Sequence, residues 1–235
     1  MTLEELLKDL ALGELSNFSV VDRNDPTQID EKSLDKVVLY VNQALTDLYT
    51  KFILSQREVI VKRKSPFTEY YLRPEFAQSN KESTVPWKYL EDTEHDKFDG
   101  NFIKILQVYD SEGQELYVND YEQPLSVFTP SFDALQITDV HQSDRFFVHY
   151  QASHNKLVTK YLDKQKVVLP IFLHEALKYY VTGKVLGNMQ GEGNTAQSLQ
   201  NMQLYEAKCS DTESKDLVRT SVTTTNTKLI KRGFV

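Results

Sequence analysis

Apolar positions recur at three- and four-residue steps near both ends of this chain and at two-residue steps through its middle. Near the start, Leu3, Leu6, Leu7 and Leu10 share one face of a helix of about three turns, introduced by Thr2 and Glu5 in capping-box spacing and ended by Gly13. Residues 15–30 have no helical period, and Asn24-Asp25-Pro26 is a turn-former, so an irregular connection is expected. A long helix should begin at Asp30 or Ser33. Its stripe is Leu34, Val37, Val38, Val41, Leu45, Leu48 and Phe52, the strongest periodic signal in the chain.

From residue 57 to 152 the period shifts toward two, and aromatic and β-branched residues gather in short runs. Strands are expected at 58–62, 68–72, 103–109, 115–118, 135–139 and 145–151, forming a small antiparallel sheet or barrel. Residues 73–100 carry seven acidic side chains and three lysines, which predicts a long surface excursion with at most a short helix. The chain then turns helical again. Pro170 fits a first helical position, followed by a stripe of Phe172, Leu173, Ala176, Leu177, Tyr180, Val181, Val185 and Met189. Gly191-Glu-Gly193 breaks that helix. A second should start at Asn194, with Gln197 in capping-box position and Ala196, Leu199, Met202, Tyr205 and Cys209 as its apolar edge, so the pair reads as an antiparallel hairpin.

Helices, an all-β middle and helices again predict an α+β fold. The simplest arrangement is a helical bundle (1–56 and 153–216) with an inserted antiparallel β domain (57–152) and an extended C-terminal arm (217–235), because each terminal helical set can bury its stripe against the other.

Composition narrows the function without naming it. The 235 residues carry 27 basic and 34 acidic side chains, a formal charge of -7, which argues against a protein whose main task is gripping nucleic acid. No apolar run reaches the length of a membrane span. One cysteine and an acidic, amphipathic start without signal-peptide character point to a reducing compartment.

Catalytic signatures are mostly missing. Gly191, Gly193 and Ala196 fit a loose dinucleotide-loop spacing, but a helix precedes them where a buried strand is required, so a hairpin turn is the better reading. His174-Glu175 lacks the second histidine of a zinc protease helix, because position 178 is Lys. Glu91, Asp92, Glu94, His95 and Asp96 offer oxygen and imidazole ligands, but without the alternation and central glycine of a calcium loop, and a solvated loop is favoured over a metal site. Asp22, Asp25 and Asp30 are explained by turns and a cap. Cys209 reads as a small core residue. No cofactor is implied, and no enzyme is indicated.

Two features remain. Gly183 and Gly187 lie one turn apart on a helix, where each costs roughly 1 kcal/mol relative to alanine, so another backbone or bulky side chain must come close, from the same subunit or from another. From residue 217 onward, Arg219, Lys228, Lys231 and Arg232 meet no acidic residue, on a chain that is otherwise near -11. A Thr-rich, β-prone stretch with Leu229, Ile230 and Phe234 behind it suits adding a strand to a sheet edge, so a binding arm is favoured over an idle tail.

The phrases LSNFSVVD, VNQALTDLYTKFIL followed by REVIVK, SVFTPSFDALQIT, HEALKYYVTGKVLGNMQGEGNTAQSLQNMQLYEAKC and TTTNTKLIKRGFV make nearly the whole chain resemble the head-to-tail adaptor (connector) proteins of tailed bacteriophages, above all short-tailed ones. The resemblance implies a non-enzymatic virion protein, assembled in the bacterial cytoplasm, that forms a ring at the head–tail junction, expected to be dodecameric. It implies a portal protein and a tail nozzle or tail-tube protein as partners, a role in closing the filled head, and DNA passing through without sequence-specific binding. Carried onto this sequence, the portal-binding arm would include Arg219, Thr223, Thr225, Lys228, Leu229, Ile230, Lys231, Arg232 and Phe234. An acidic loop with Glu91, Asp92, Glu94 and Asp96 is a candidate channel wall, since like charge repels the DNA backbone. The alternatives are a tail-tube or tail-completion protein and, from another class, a metal-dependent hydrolase using the cluster at 91–96.

Overall fold

The computed structural model describes residues 1–93, 97–138, 140–189 and 191–218. The fold is α+β, with four α-helices and a five-stranded antiparallel sheet among those residues. Helix α1 (Leu3–Leu12) opens with the capping box its sequence predicts. The Glu5 amide donates to Thr2 Oγ1 at 3.1 Å and the Thr2 amide to Glu5 Oε2 at 2.8 Å, so two otherwise unpaired helix-end donors are satisfied. Helix α2 (Glu31–Lys51) buries Val37, Val38, Val41, Leu45 and Leu48 from the expected stripe. Asp30 stands at its N-cap, but its carboxylate caps nothing; its amide instead donates to the Val20 carbonyl at 2.8 Å and closes the preceding loop.

The six expected strands all form, with shifted ends. Strand β1 (Gln56–Lys62) pairs along its whole length with the last strand of the sheet. A ribbon of β2 (Glu69–Tyr71) and, later in the chain, Ala134–Gln136 stands apart from that sheet. Strand β3 (Leu90–Glu91) joins the outer edge of β1. Next come β4 (Phe102–Tyr109), β5 (Glu115–Leu116), the ribbon partner β6 (Ala134–Gln136) and the central β7 (Arg145–Ala152), giving the order β3-β1-β7-β4-β5. Alternation explains why β7 sits at the centre: Phe146, Val148 and Tyr150 turn to one face and are fully buried there.

The described residues of 73–100 are not wholly a surface excursion. A 3-10 turn at Pro74–Phe76 and strand β3 lie along them, and Ala77, Tyr89, Leu90 and Phe98 are buried in the sheet's core. Their charges hid this, because the buried residues follow no regular period.

Two corrections concern the C-terminal helices. Pro170 lies outside its helix with ψ of 143°, a 3-10 turn (Ile171–Leu173) intervenes, and α3 runs from His174 to Gly187. Helix α4 (Glu192–Ser214) starts before Asn194, with Gly191 as its N-cap at φ of +127°, a conformation that favours glycine, so no Asn194–Gln197 capping box forms. The expected apolar edge of α4 holds from Met202 onward but not in the first turns. Tyr205, Cys209 and Thr212 are buried, whereas Ala196 is exposed and Leu199 is 62% exposed.

Buried apolar side chains fall into two clusters. One is built from α1, α2, α3, α4 and their connections, the other from the strands and residues 72–98. Gln151, 1% exposed at the end of β7, ties them together: its Nε2 donates to the carbonyls of Tyr49 and Phe52, while the Ala152 amide donates to the Ser55 carbonyl at 3.0 Å. Among the described residues, no helix is long and apolar enough to cross a membrane.

Candidate functional site

The two glycines of α3 receive α4 of the same chain. A methyl group on Gly183 would stand 3.0 Å from Met202 Sδ and 3.3 Å from the Ser198 carbonyl, and one on Gly187 would stand 2.9 Å from Ser198 Oγ. Ser198 Oγ uses the space by donating to the Gly183 carbonyl at 2.7 Å. The close approach left open by the sequence is therefore intramolecular. It also explains the exposed start of the expected α4 edge, since Ser198 joins Met202 at the glycines where Ala196 and Leu199 were expected.

Further along the hairpin, charged side chains hold α4 in place. Lys208 Nζ meets Glu175 Oε2 at 2.7 Å, and Lys51 Nζ on α2 meets Glu206 at 3.0 Å and Asp47 at 3.3 Å. The Lys51 ammonium also lies 4.5 Å from the centre of the Tyr205 ring, and the Tyr205 hydroxyl donates to Asp47 Oδ2. Burial weakens the Lys51 charge, but Glu206 and Asp47 outweigh it and hold its pKa above the ordinary lysine value. Burial pushes the Cys209 thiol up, so this cysteine is an inert core residue. The one-turn spacing of Asp47 and Lys51 is the local signal in the sequence that points to this cluster. The partner Tyr205 lies 158 positions away.

Beyond α4 the chain reaches Val218, which packs against the helical cluster and lines a shallow groove with Lys51, Phe52, Ile53 and Thr212. The arm residues Arg219, Thr223, Thr225, Lys228, Leu229, Ile230, Lys231, Arg232 and Phe234 lie outside the described residues, as do Glu94, His95 and Asp96.

Glu91 and Asp92 are described, and neither is a free wall charge. Glu91, on β3, binds Arg145 Nε at 3.0 Å and faces Lys62 Nζ at 3.8 Å. Asp92 accepts the Ser79 amide at 2.9 Å, the Ser79 hydroxyl, and the Phe98 amide at 2.9 Å. Glu91 fastens the 73–100 segment to the neighbouring strands, and Asp92 ties two parts of that segment to each other. Asp25 serves locally in the same way, accepting the Thr27 amide at 3.0 Å and the Thr27 hydroxyl at 2.6 Å, and these bonds lower its pKa.

Among the described residues, no group of three or more His, Cys, Asp or Glu side chains is placed to hold a metal ion. Exposed aromatic side chains do gather beside the outer edge of β4: Tyr117 is 58% and Phe132 77% exposed. Such a surface suits protein contact better than small-molecule chemistry. The chain matches no protein-family model, and no curated protein is significantly similar to it.

Proposed function

We propose that this chain is a head-to-tail adaptor: a virion structural protein that forms a ring below the portal of a tailed bacteriophage, closes the filled head and joins it to the tail. The observation that carries this reading is the way the chain leaves its fold. Helix α4 is clamped to α2 and α3 by Tyr205–Asp47, Lys51–Glu206 and Lys208–Glu175, and three residues past its end begins a segment with four basic and no acidic side chains. A fixed post followed by an acid-free arm is suited to reaching a protein partner while the -7 chain repels DNA. The order of helices around an inserted sheet is the order that the resemblance implies.

The engagement of Glu91 and Asp92 within the fold weighs against the hydrolase alternative, because two members of that cluster already have partners. It also moves any acidic channel wall away from these two residues. The test is deletion of residues 221–235 followed by co-purification with the portal protein. Loss of binding with a retained fold is the expected result, and electron microscopy of the intact mixture should show a ring stacked on the portal. Undiminished binding by the shortened chain would overturn the arm assignment.

A further inference from the structure

Two exposed surfaces of this chain carry opposite charge, and among the described residues neither finds its counter-charge within the subunit. The first is the loop between β7 and α3. Lys156, Lys160, Lys164 and Lys166 are all exposed there, with Asp163 the one acidic residue between them. Glu4 and Glu5 of α1 adjoin the loop, whose Gln165 carbonyl accepts the Leu3 amide at 2.9 Å, but among the described residues no ion pair engages any of the four lysines. The loop is firmly shaped: Gln165 Oε1 accepts the Val158 amide at 2.7 Å, and its Nε2 donates to the carbonyls of Val158 at 2.7 Å and Lys160 at 2.6 Å. Tyr161 has φ of +56°, a left-handed conformation that a bulky residue rarely adopts, and its exposed ring lies 5.4 Å from Lys164 Nζ. Val168 and Ile171, exposed just beyond, add an apolar margin.

The second surface is the β5 edge of the sheet. From Ile105 to Phe132 the sequence holds five acidic side chains and no lysine or arginine. Glu115 and Tyr117 flank the buried Leu116 and so turn outward together, and Glu112, Tyr121 and Glu122 are exposed in the adjoining turns. Among the described residues no ion pair engages these three glutamates.

We propose that the two surfaces bind each other between copies, the lysine loop of one subunit docking on the β5 edge of the next. Charge complementarity names the occupant. A nucleic-acid backbone would satisfy the lysines but leave Tyr161, Val168 and Ile171 against phosphate, whereas the β5 edge brings Tyr117 and Tyr121 together with its carboxylates. A loop already held in shape loses little freedom on docking. Because the two surfaces differ, the contact is head-to-tail, the kind that closes into a ring when the rotation between neighbours allows. This contact rests on the ring-forming part of the adaptor reading and supplies the faces that build the ring.

Charge exchange on the full-length protein tests it, by sedimentation velocity at about 0.15 M salt. The unsubstituted chain should associate as its concentration rises to about 100 μM, and a chain that stays monomeric there overturns the proposal. A Lys160→Glu, Lys164→Glu variant is acidic on both surfaces, and a Glu112→Lys, Glu115→Lys variant is basic on both. Each alone should associate at least about tenfold more weakly, whereas an equimolar mixture should recover the unsubstituted affinity, since every loop then meets an opposite face. Two Glu→Lys changes of +2 each take the net charge from -7 to -3, so overall repulsion alone predicts tighter association of that variant. Tighter association, or a mixture no better than its components, overturns the proposal. Rings on the portal formed equally by both variants would overturn this contact and leave the adaptor reading standing; charge-dependent association with no ring on the portal would do the reverse.

Discussion

The Tyr205 hydroxyl of α4 donates a hydrogen bond to the Asp47 carboxylate of α2, a pair separated by 158 positions in the chain. Tyr205 is 1% exposed, and its ring also packs edge-on against Tyr180 at 5.2 Å. Tyr205→Phe should keep that packing and remove one charge-assisted bond, costing about 1–2 kcal/mol in urea unfolding. Asp47 is partly exposed and keeps Lys51, so it can accept water in the variant, and a larger loss is not expected. An unchanged unfolding midpoint would mean that this bond does not anchor α4.

The same phenol makes stability depend on alkaline pH. Burial, and then the hydrogen bond to Asp47, push the Tyr205 pKa well above the ordinary tyrosine value, and burial raises those of Tyr49, Tyr89 and Tyr180 as well. Above about pH 10 the unfolded chain loses phenol protons that the folded chain retains, so stability should fall as pH rises through that point. Unfolding in denaturant at pH 8, 9, 10 and 11 measures it. Tyr205→Phe should flatten the alkaline decline; an identical slope would show that Tyr205 does not contribute.

At the α3–α4 contact, size decides the outcome. Gly187→Ala should be nearly neutral, because a helical alanine gains roughly 1 kcal/mol while Ser198 Oγ must turn away from the added methyl and give up a bond of similar worth. Gly183→Leu should lose about 2–3 kcal/mol, since the side chain would enter Met202 and the Ser198 backbone. Thermal unfolding of the two variants distinguishes them. Gly183→Leu with normal stability but altered assembly would instead place the contact between subunits.

What the sequence made legible was whatever repeats locally. Thr2 and Glu5 are three positions apart and cap α1 as expected, and the alternation of Phe146, Val148 and Tyr150 identifies a strand half-buried on the core. The failures share a cause. Tyr89, Leu90 and Phe98 are buried by strands distant in sequence, so their charged neighbours suggested a solvated loop. On α4, Met202, Tyr205 and Cys209 lie on the expected edge, but Ala196 and Leu199 do not, because backbone proximity at Gly183 and Gly187, rather than side-chain hydrophobicity, brings Ser198 to α3. Cross-strand partners such as Arg145 for Glu91 depend on register, which no local pattern specifies.

Their different partners also rank Glu91 and Asp92, two of the acidic residues of the 73–100 segment. Glu91→Ala leaves Arg145 and Lys62, both partly exposed, free to take water, and should cost no more than about 1 kcal/mol. Asp92→Ala removes the acceptor for the amides of Ser79 and Phe98 and should cost about 2 kcal/mol. Denaturant unfolding gives the order, and hydrogen exchange at residues 79 and 98 should accelerate only in the Asp92 variant. Equal, negligible losses would return both carboxylates to the role of solvated loop charges.

Acid should act through two histidines on different elements. His141 is buried edge-on against Phe146 at 5.5 Å, and burial, reinforced by the Arg63 guanidinium that donates to its carbonyl and opposed by a bond to the Ser126 backbone and by Asp110, keeps its pKa below the ordinary histidine value. Its Nε2 has no hydrogen-bond partner among the described residues, so the added proton of an imidazolium would be left unpaired. His154 packs against Tyr49 at 5.7 Å, with Nε2 3.1 Å from Thr46 Oγ1, and burial lowers its pKa too, against bonds to the Asn155 and Asn42 backbones. In the unfolded chain both rings take up a proton near pH 6.5 while the folded chain resists it. The unfolded state then binds more protons, so stability should be fully present above pH 6.5 and decline as pH falls below it. Imidazole resonances followed by NMR should show both rings titrating below pH 6.5, with lower stability at pH 5 than at pH 7. Replacing His141 with Gln should reduce that difference, because the substitution removes the titrating group. A difference unaffected by this substitution would place the acid sensitivity elsewhere.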